Sequence, residues 1–268
     1  QMLSRVVLDA LSLASALTAS VDRTMHGART EARSSLISCV VMPRLEDPDV
    51  AQRTRVVALR GFLSSDEIDE LHAAAADVRA RVGEVFRSNG CEPQSWSTTF
   101  LNHMLPDVLP DFNAKLHRAF REVDAANWKL LDGERRELSL RCAEYHTVQQ
   151  GGGLPIEKHM DHGSLITLDI MLSPSSEYTG GVFQTLEADG SMAQYDFEQG
   201  DALLFQSHKF HCVSPLTSGT RSVFVCELWE GLPRICPQRC SDPWLPCYCK
   251  FAPVALYHRH QGGSYTPL

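Results

Sequence analysis

The sequence has no uninterrupted apolar run approaching the ~20 residues a helix needs to cross a bilayer, so no membrane span is expected. It has no surplus of positive charge either: 25 Lys and Arg stand against 33 Asp and Glu, a formal charge of -8 at pH 7. A basic face for nucleic acid or anionic lipid is therefore not expected. No internal repeat or low-complexity tract is visible. The apolar-rich stretch Met2–Ser20 is broken by Arg5 and Asp9, so it lacks the charge-free centre of a secretory leader. What remains is an ordinary globular composition, 43% apolar and 22% charged. Within the first stretch Leu3, Val7, Ala10, Ala14 and Leu17 recur at helical spacing, and residues 1–50 read as an N-terminal helix plus linker.

Cysteine is not scarce. Cys39, Cys91, Cys142, Cys212 and Cys226 are scattered and read as free thiols, the default for isolated buried cysteines. Cys236, Cys240, Cys247 and Cys249 crowd into a C-terminal extension, residues 232–268. Their spacing fits no common zinc signature, and disulfides, a structural zinc and free thiols stay open there. A cysteine cluster leans toward an oxidising lumen and the missing leader toward the cytoplasm, so the compartment stays open as well.

Between these ends lies a domain, residues 51–231. Arg55–Leu59 alternates as a strand. Ser64 and Glu67 then form a capping box before the apolar stripe Ile68, Leu71, Ala75, Val78, Val82 and Val85, which predicts a helix. A second helix is predicted over Pro110–Leu131, closed by Asp132-Gly133. Beyond Gly133 the period turns strand-like. Glu137–Gln149, Ser164–Leu172, Gly181–Leu186, Tyr195–Phe197, Ala202–Phe205, His211–Ser214 and Arg221–Leu228 read as short strands, with turn signals at Asp189-Gly190 and Gly200-Asp201. The expected class is α+β, mainly β: two helices laid against a jelly roll.

The chemistry concentrates at His159-Met160-Asp161. In an extended segment residues i and i+2 face the same way, so an imidazole and a carboxylate address one point. Further on, GDALLFQSHKFHCVSPLTSGTR supplies His208 and His211 as candidates for a third ligand. Two imidazoles and one carboxylate make the facial triad of non-haem Fe(II) oxygenases, which leaves positions open for co-substrate and O2. Arg221, beyond the turn residues Pro215 and Gly219, would begin the neighbouring strand, where its fork suits a bidentate grip on a dicarboxylate.

Taken in order, HMD, SLITLDIMLS, YTGGVF, GDALLF and HCVSPLTSGTR resemble the prolyl 4-hydroxylase-like 2-oxoglutarate/Fe(II) dioxygenases, and VVALRGFLSSDEIDEL is similar to that family's opening strand and first helix. The resemblance runs from Arg55 to Gly231 and implies a double-stranded β-helix that binds iron and 2-oxoglutarate. It implies His159, Asp161 and His211 as iron ligands, His211 being preferred to His208 because its distance to Arg221 fits the family. It places Arg221 on the distal carboxylate of 2-oxoglutarate, where many collagen-type members use a lysine. Family members carry a tyrosine near the co-substrate on one of the first two core strands. Gln149 and Met171 stand at the aligned positions here, and Tyr145 and Thr167, of the same strand parity, are the expected substitutes. Asp169 shares that parity, which implies a cation or the substrate as its partner.

The implied reaction is hydroxylation of an unactivated C–H bond with Fe(II), 2-oxoglutarate and O2, ascorbate being an optional reductant. A prolyl residue, a free amino acid or a small natural product are the candidate substrates, by analogy of fold. Desaturation or cyclisation at the same metal, a non-catalytic jelly-roll binding module and a zinc-stabilised interaction protein are the rival readings. His162 sits one register off the metal pair, and His103, His146, His258 and His260 carry no identifiable partner. Trp96 and Trp229 read as core or rim, and the segments Ser173–Tyr178 and Ser88–Met104 as loops lining the mouth.

Overall fold

The computed structural model describes residues 54–87, 91–133 and 137–232. The expected N-terminal helix, the cluster Cys236, Cys240, Cys247 and Cys249, and His258 and His260 lie outside the described residues. Among them Cys91, Cys142, Cys212 and Cys226 are free thiols, as expected.

Ser64 caps helix α1, Ser65–Val82, through a closed box: its hydroxyl accepts the Glu67 N–H, and the Glu67 carboxylate accepts the Ser64 N–H. The helix buries Ile68, Leu71, Ala75, Val78 and Val82. It stops at Gly83, whose φ of 81° no longer continues the helix, so Val85 belongs to strand β2, Val85–Phe86, and not to the stripe. A one-turn helix α2, Leu105–Val108, leads into α3, Pro110–Asn127, which buries Phe112, Leu116, Ala119, Phe120 and Val123. That helix ends a turn earlier than expected. Lys129 adopts a positive φ of 58°, and the Asp124 carboxylate accepts the Leu130 and Leu131 N–H groups, drawing them out of the helical ladder.

The remaining strands are β1 (Val57–Leu59), β3 (Trp96–Phe100), β4 (Leu138–Gln149), β5 (Leu154–His159), β6 (Ile166–Met171), β7 (Tyr178–Gly180), β8 (Phe183–Leu186), β9 (Met192–Gln194), β10 (Ala202–Gln206), β11 (His211–Val213) and β12 (Leu216–Glu230). They form an 8-stranded sheet in the order β1-β10-β6-β12-β4-β3-β2, with β7 also on β12, and a 4-stranded sheet in the order β5-β11-β8-β9. All these pairings are antiparallel. Two helices on one face of a large antiparallel sheet, with a smaller sheet beside it, is the jelly-roll class expected from the sequence.

Three local expectations change. Trp96–Phe100 is a strand paired along Val148–Glu144, not a loop. The hairpin strand is Met192–Gln194, so Tyr195–Phe197 follows it. The final strand begins at Leu216 and runs through Gly219, whose φ is 81° and whose missing Cβ would stand 2.0 Å from the Glu177 carbonyl oxygen. No side chain fits there, so the strand passes Gly219 without breaking, and Arg221 lies inside it rather than at its start.

The large sheet has two buried faces. Ala143, Tyr145, Ile166, Leu168, Ile170, Phe224, Cys226 and Leu228 pack with Leu71, Leu116 and Phe120 of the helices. On the other face Met171, Leu203, Phe205, Val223 and Val225 pack with Phe183 of the small sheet. Among the described residues no helix is long and apolar enough to cross a membrane.

Candidate active site

The small sheet delivers two of the three candidate ligands side by side, since His211 of β11 pairs directly with His159 of β5. Directly paired residues project from the same face. The two rings meet edge to face, with centroids 5.0 Å apart. Asp161 follows the end of β5, and its backbone N–H is held by the Ser207 carbonyl. Its Oδ1 lies 3.3 Å from His159 Nε2 and its Oδ2 3.8 Å from His211 Nε2. Ligand atoms of these three residues all fall within 4.8 Å of one another, the one such group among the described residues.

Second contacts set the ligand chemistry. His211 Nδ1 stands 3.0 Å from the Lys209 carbonyl oxygen, which can only accept. The proton is therefore on Nδ1, and the Nε2 lone pair is left for a metal. Phe183 and Phe205 close on the same ring at centroid distances of 5.9 and 4.9 Å. Thr167 donates to Asp161 Oδ2 at 2.8 Å. His208 and His162 do not join the group; burial, then the neighbouring His162, depresses the His208 pKa.

The triad opens on a cleft between the sheets, with an empty volume of about 710 Å³ including its mouth. Val148, Leu154, Val213, Val223 and Val225 form its apolar wall, and Arg221 and Asp169 are its buried charges on the β12 and β6 side. Burial pushes the Arg221 guanidinium below its ordinary pKa, while Tyr178 and Asp169 pull it back up. Its Nε is buried without a hydrogen-bond partner. A desolvated guanidinium with a donor to spare fits an incoming carboxylate. The donor set His159, Asp161 and His211 fits Fe(II) by its chemistry, two imidazoles and one carboxylate.

The expected co-substrate contacts on the first two core strands move. Tyr145 points away from the cleft into the helix-facing core, and its hydroxyl lies 2.7 Å from His72 Nδ1. The inward residues of β4 are Glu144, His146 and Val148. Glu144 and His146 look at the cleft, while Ala143 and Tyr145 look at the helices. Thr167 does face inward, but its hydroxyl is spent on Asp161. Asp169 lines the cleft as its parity required.

Sequence reasoning passed over a second cluster. His146 has partners after all. The Trp96 indole N–H donates to its Nδ1 at 3.0 Å, and Glu144 Oε2 lies 3.2 Å from its Nε2. An indole nitrogen only donates, so His146 carries its proton on Nε2, facing Glu144. Arg87 meets the other Glu144 oxygen at 3.2 Å. The signal was the alternation Trp96, Thr98, Phe100, a β-branched and aromatic strand pattern hidden behind Pro93. Trp229 is core, its indole N–H donating to Ser139.

No protein-family model matches the sequence, and no curated protein matches it. Solved structures do. An oxidoreductase of the 2OG-Fe(II) oxygenase family from Burkholderia pseudomallei superposes with a TM-score of 0.51 at 16% identity, over 67% of this chain and 88% of that one. A Pseudomonas putida prolyl-4-hydroxylase gives 0.51 at 14% identity, over 69% and 96%. The epimerase SnoN, solved with Fe3+, alpha ketoglutarate and nogalamycin RO, gives 0.52 at 14% identity, over 74% and 94%. The fold is that of the 2-oxoglutarate/Fe(II) oxygenases. Within that oxygenase fold the chain carries a His-Asp-His cluster between its two sheets.

Proposed function

We propose that the protein is a 2-oxoglutarate- and Fe(II)-dependent dioxygenase that hydroxylates an unactivated C–H bond. The observation that carries this is the convergence of His159, Asp161 and His211 on one point of a cleft that also buries Arg221. Iron held there supplies, with O2, the decarboxylation of 2-oxoglutarate to succinate and CO2 coupled to transfer of one oxygen atom to the substrate.

The chain's own residues do the rest. The two imidazoles bind as neutral ligands and Asp161 as the anion. Arg221 takes the distal carboxylate of 2-oxoglutarate and so orients its keto acid end toward the triad. Val148, Val223 and Val225 keep water from the space between. The candidate substrates are a prolyl residue, an amino acid or a small natural product. The division into an N-terminal segment 1–50, a catalytic domain 51–231 and a cysteine-rich extension 232–268 belongs to the same proposal.

The test is succinate release by the full chain with Fe(II), 2-oxoglutarate and a panel of candidate substrates, read by mass spectrometry. A product heavier by one oxygen is expected, and a product lighter by two hydrogens assigns desaturation or ring closure instead. His159→Ala should stop succinate formation; turnover retained in that variant removes His159 from the site and overturns the reading.

A further inference from the structure

Thr167 lies on β6, beneath the metal cluster, and is 1% exposed. Its hydroxyl oxygen sits 2.8 Å from Asp161 Oδ2 and 2.9 Å from Ser207 Oγ. A carboxylate only accepts, so the single Thr167 proton goes to Asp161, and the Ser207 hydroxyl must then donate to Thr167. The hydroxyls form a one-way chain, Ser207 to Thr167 to Asp161. Ser207 also holds the Asp161 backbone, through its carbonyl and the Asp161 N–H at 2.8 Å. Ser207 is fully buried and Asp161 nearly so, so bulk water does not stand in for either contact.

A carboxylate offers a metal one oxygen or two, and free rotation about its last bond lets it switch. Here a buried hydrogen bond opposes that rotation. Oδ2 is engaged by Thr167, while Oδ1 is turned to the His159 ring. We infer that Thr167, backed by Ser207, is a positioning residue that commits Asp161 to one-oxygen metal binding through Oδ1. Binding through both oxygens would consume one of the positions the co-substrate and O2 need. The assignment rests on the metal site proposed above. It also replaces the sequence expectation for this residue: Thr167 acts on the metal ligand and not on 2-oxoglutarate.

The test is metal binding by the full chain, titrated with Mn(II) or Co(II) without 2-oxoglutarate or substrate. Thr167→Val keeps the shape and removes the donor; it should weaken binding by about 10- to 100-fold, the usual cost of losing a contact behind a ligand. Thr167→Ser restores the hydroxyl and should return affinity to near the wild-type value. Ser207→Ala should give a smaller loss. The Co(II) absorption bands, which report coordination number, should change in Thr167→Val and recover in Thr167→Ser. Wild-type affinity and unaltered Co(II) bands in Thr167→Val overturn the assignment while leaving the metal site intact. A wild-type chain that binds neither metal overturns the site and the assignment together. An equal loss in Thr167→Ser and Thr167→Val marks the effect as packing and also overturns it.

Discussion

Replacing Arg221 by methionine should disable 2-oxoglutarate binding while sparing the metal. Arg221 is 4% exposed, so little of its charge is hydrated by bulk water before any anion arrives. A carboxylate meeting it gains a charge-assisted pair in a low-dielectric cleft, and removing one partner of such a pair costs about 2–5 kcal/mol. Asp169 stands close enough to act on the same charge and offsets part of its pull, which argues for the lower half of that range. A loss of ~2–3.5 kcal/mol corresponds to about 30- to 400-fold in Kd. The assay is calorimetric titration of 2-oxoglutarate into the Mn(II)-loaded protein and the Arg221→Met variant, with Mn(II) affinity measured alongside. The internal control is 2-oxobutyrate, which keeps the keto acid end but lacks the distal carboxylate. It should bind both forms alike. Arg221→Lys retains charge without the planar fork and should lie between wild type and Arg221→Met. Equal 2-oxoglutarate affinity in wild type and Arg221→Met, with both loaded by metal, would show that the anchor is elsewhere. An equal loss for 2-oxoglutarate and 2-oxobutyrate would show a collapsed cleft and not a lost anchor.

Further outcomes concern the scaffold. Ser64→Ala opens the capping box of α1 and should lower stability by about 1 kcal/mol in urea unfolding; an unchanged midpoint would mean the box is redundant. Gly219→Ala forces a Cβ to within 2.0 Å of the Glu177 carbonyl oxygen at a φ of 81°. It should cost on the order of 3 kcal/mol and reduce the yield of folded protein; a stable variant with normal melting would contradict that packing. Burial pushes the pKa of His72 and His117 below the ordinary imidazole value of 6.5, with Arg121 adding to the effect at His117. Between the folded and unfolded values the unfolded chain binds more protons, so this part of the stability is complete above 6.5 and declines as pH falls toward the folded values. The metal-free protein should therefore unfold at lower urea at about pH 5.5 than at about pH 7.5. Double replacement by glutamine should flatten that dependence, and a slope unchanged in the double variant would refute it.

Local sequence was sufficient where the physics is local. The capping box at Ser64 and the apolar stripe of α1 announce a helix because a helix satisfies its own backbone within a few residues. The pair His159 and Asp161 faces one point because an extended chain repeats every second residue. The order of turns and strands up to Arg221 marked the jelly roll and the cleft. Tertiary structure decided what depends on distant partners. Both faces of β4 are buried, so no contrast between wet and dry sides indicates which face looks inward. Pairing with β12 and β3 sets that register; it turns Glu144 and His146 to the cleft and sends Tyr145 to the helices. The short strand β3 is held between β2 and β4, the latter distant in sequence, and its serines and threonines read alone as a loop. The role of Thr167 was closed to sequence for the same reason: parity places its hydroxyl between the sheets, but only the packed chain brings Asp161 and Ser207 to meet it.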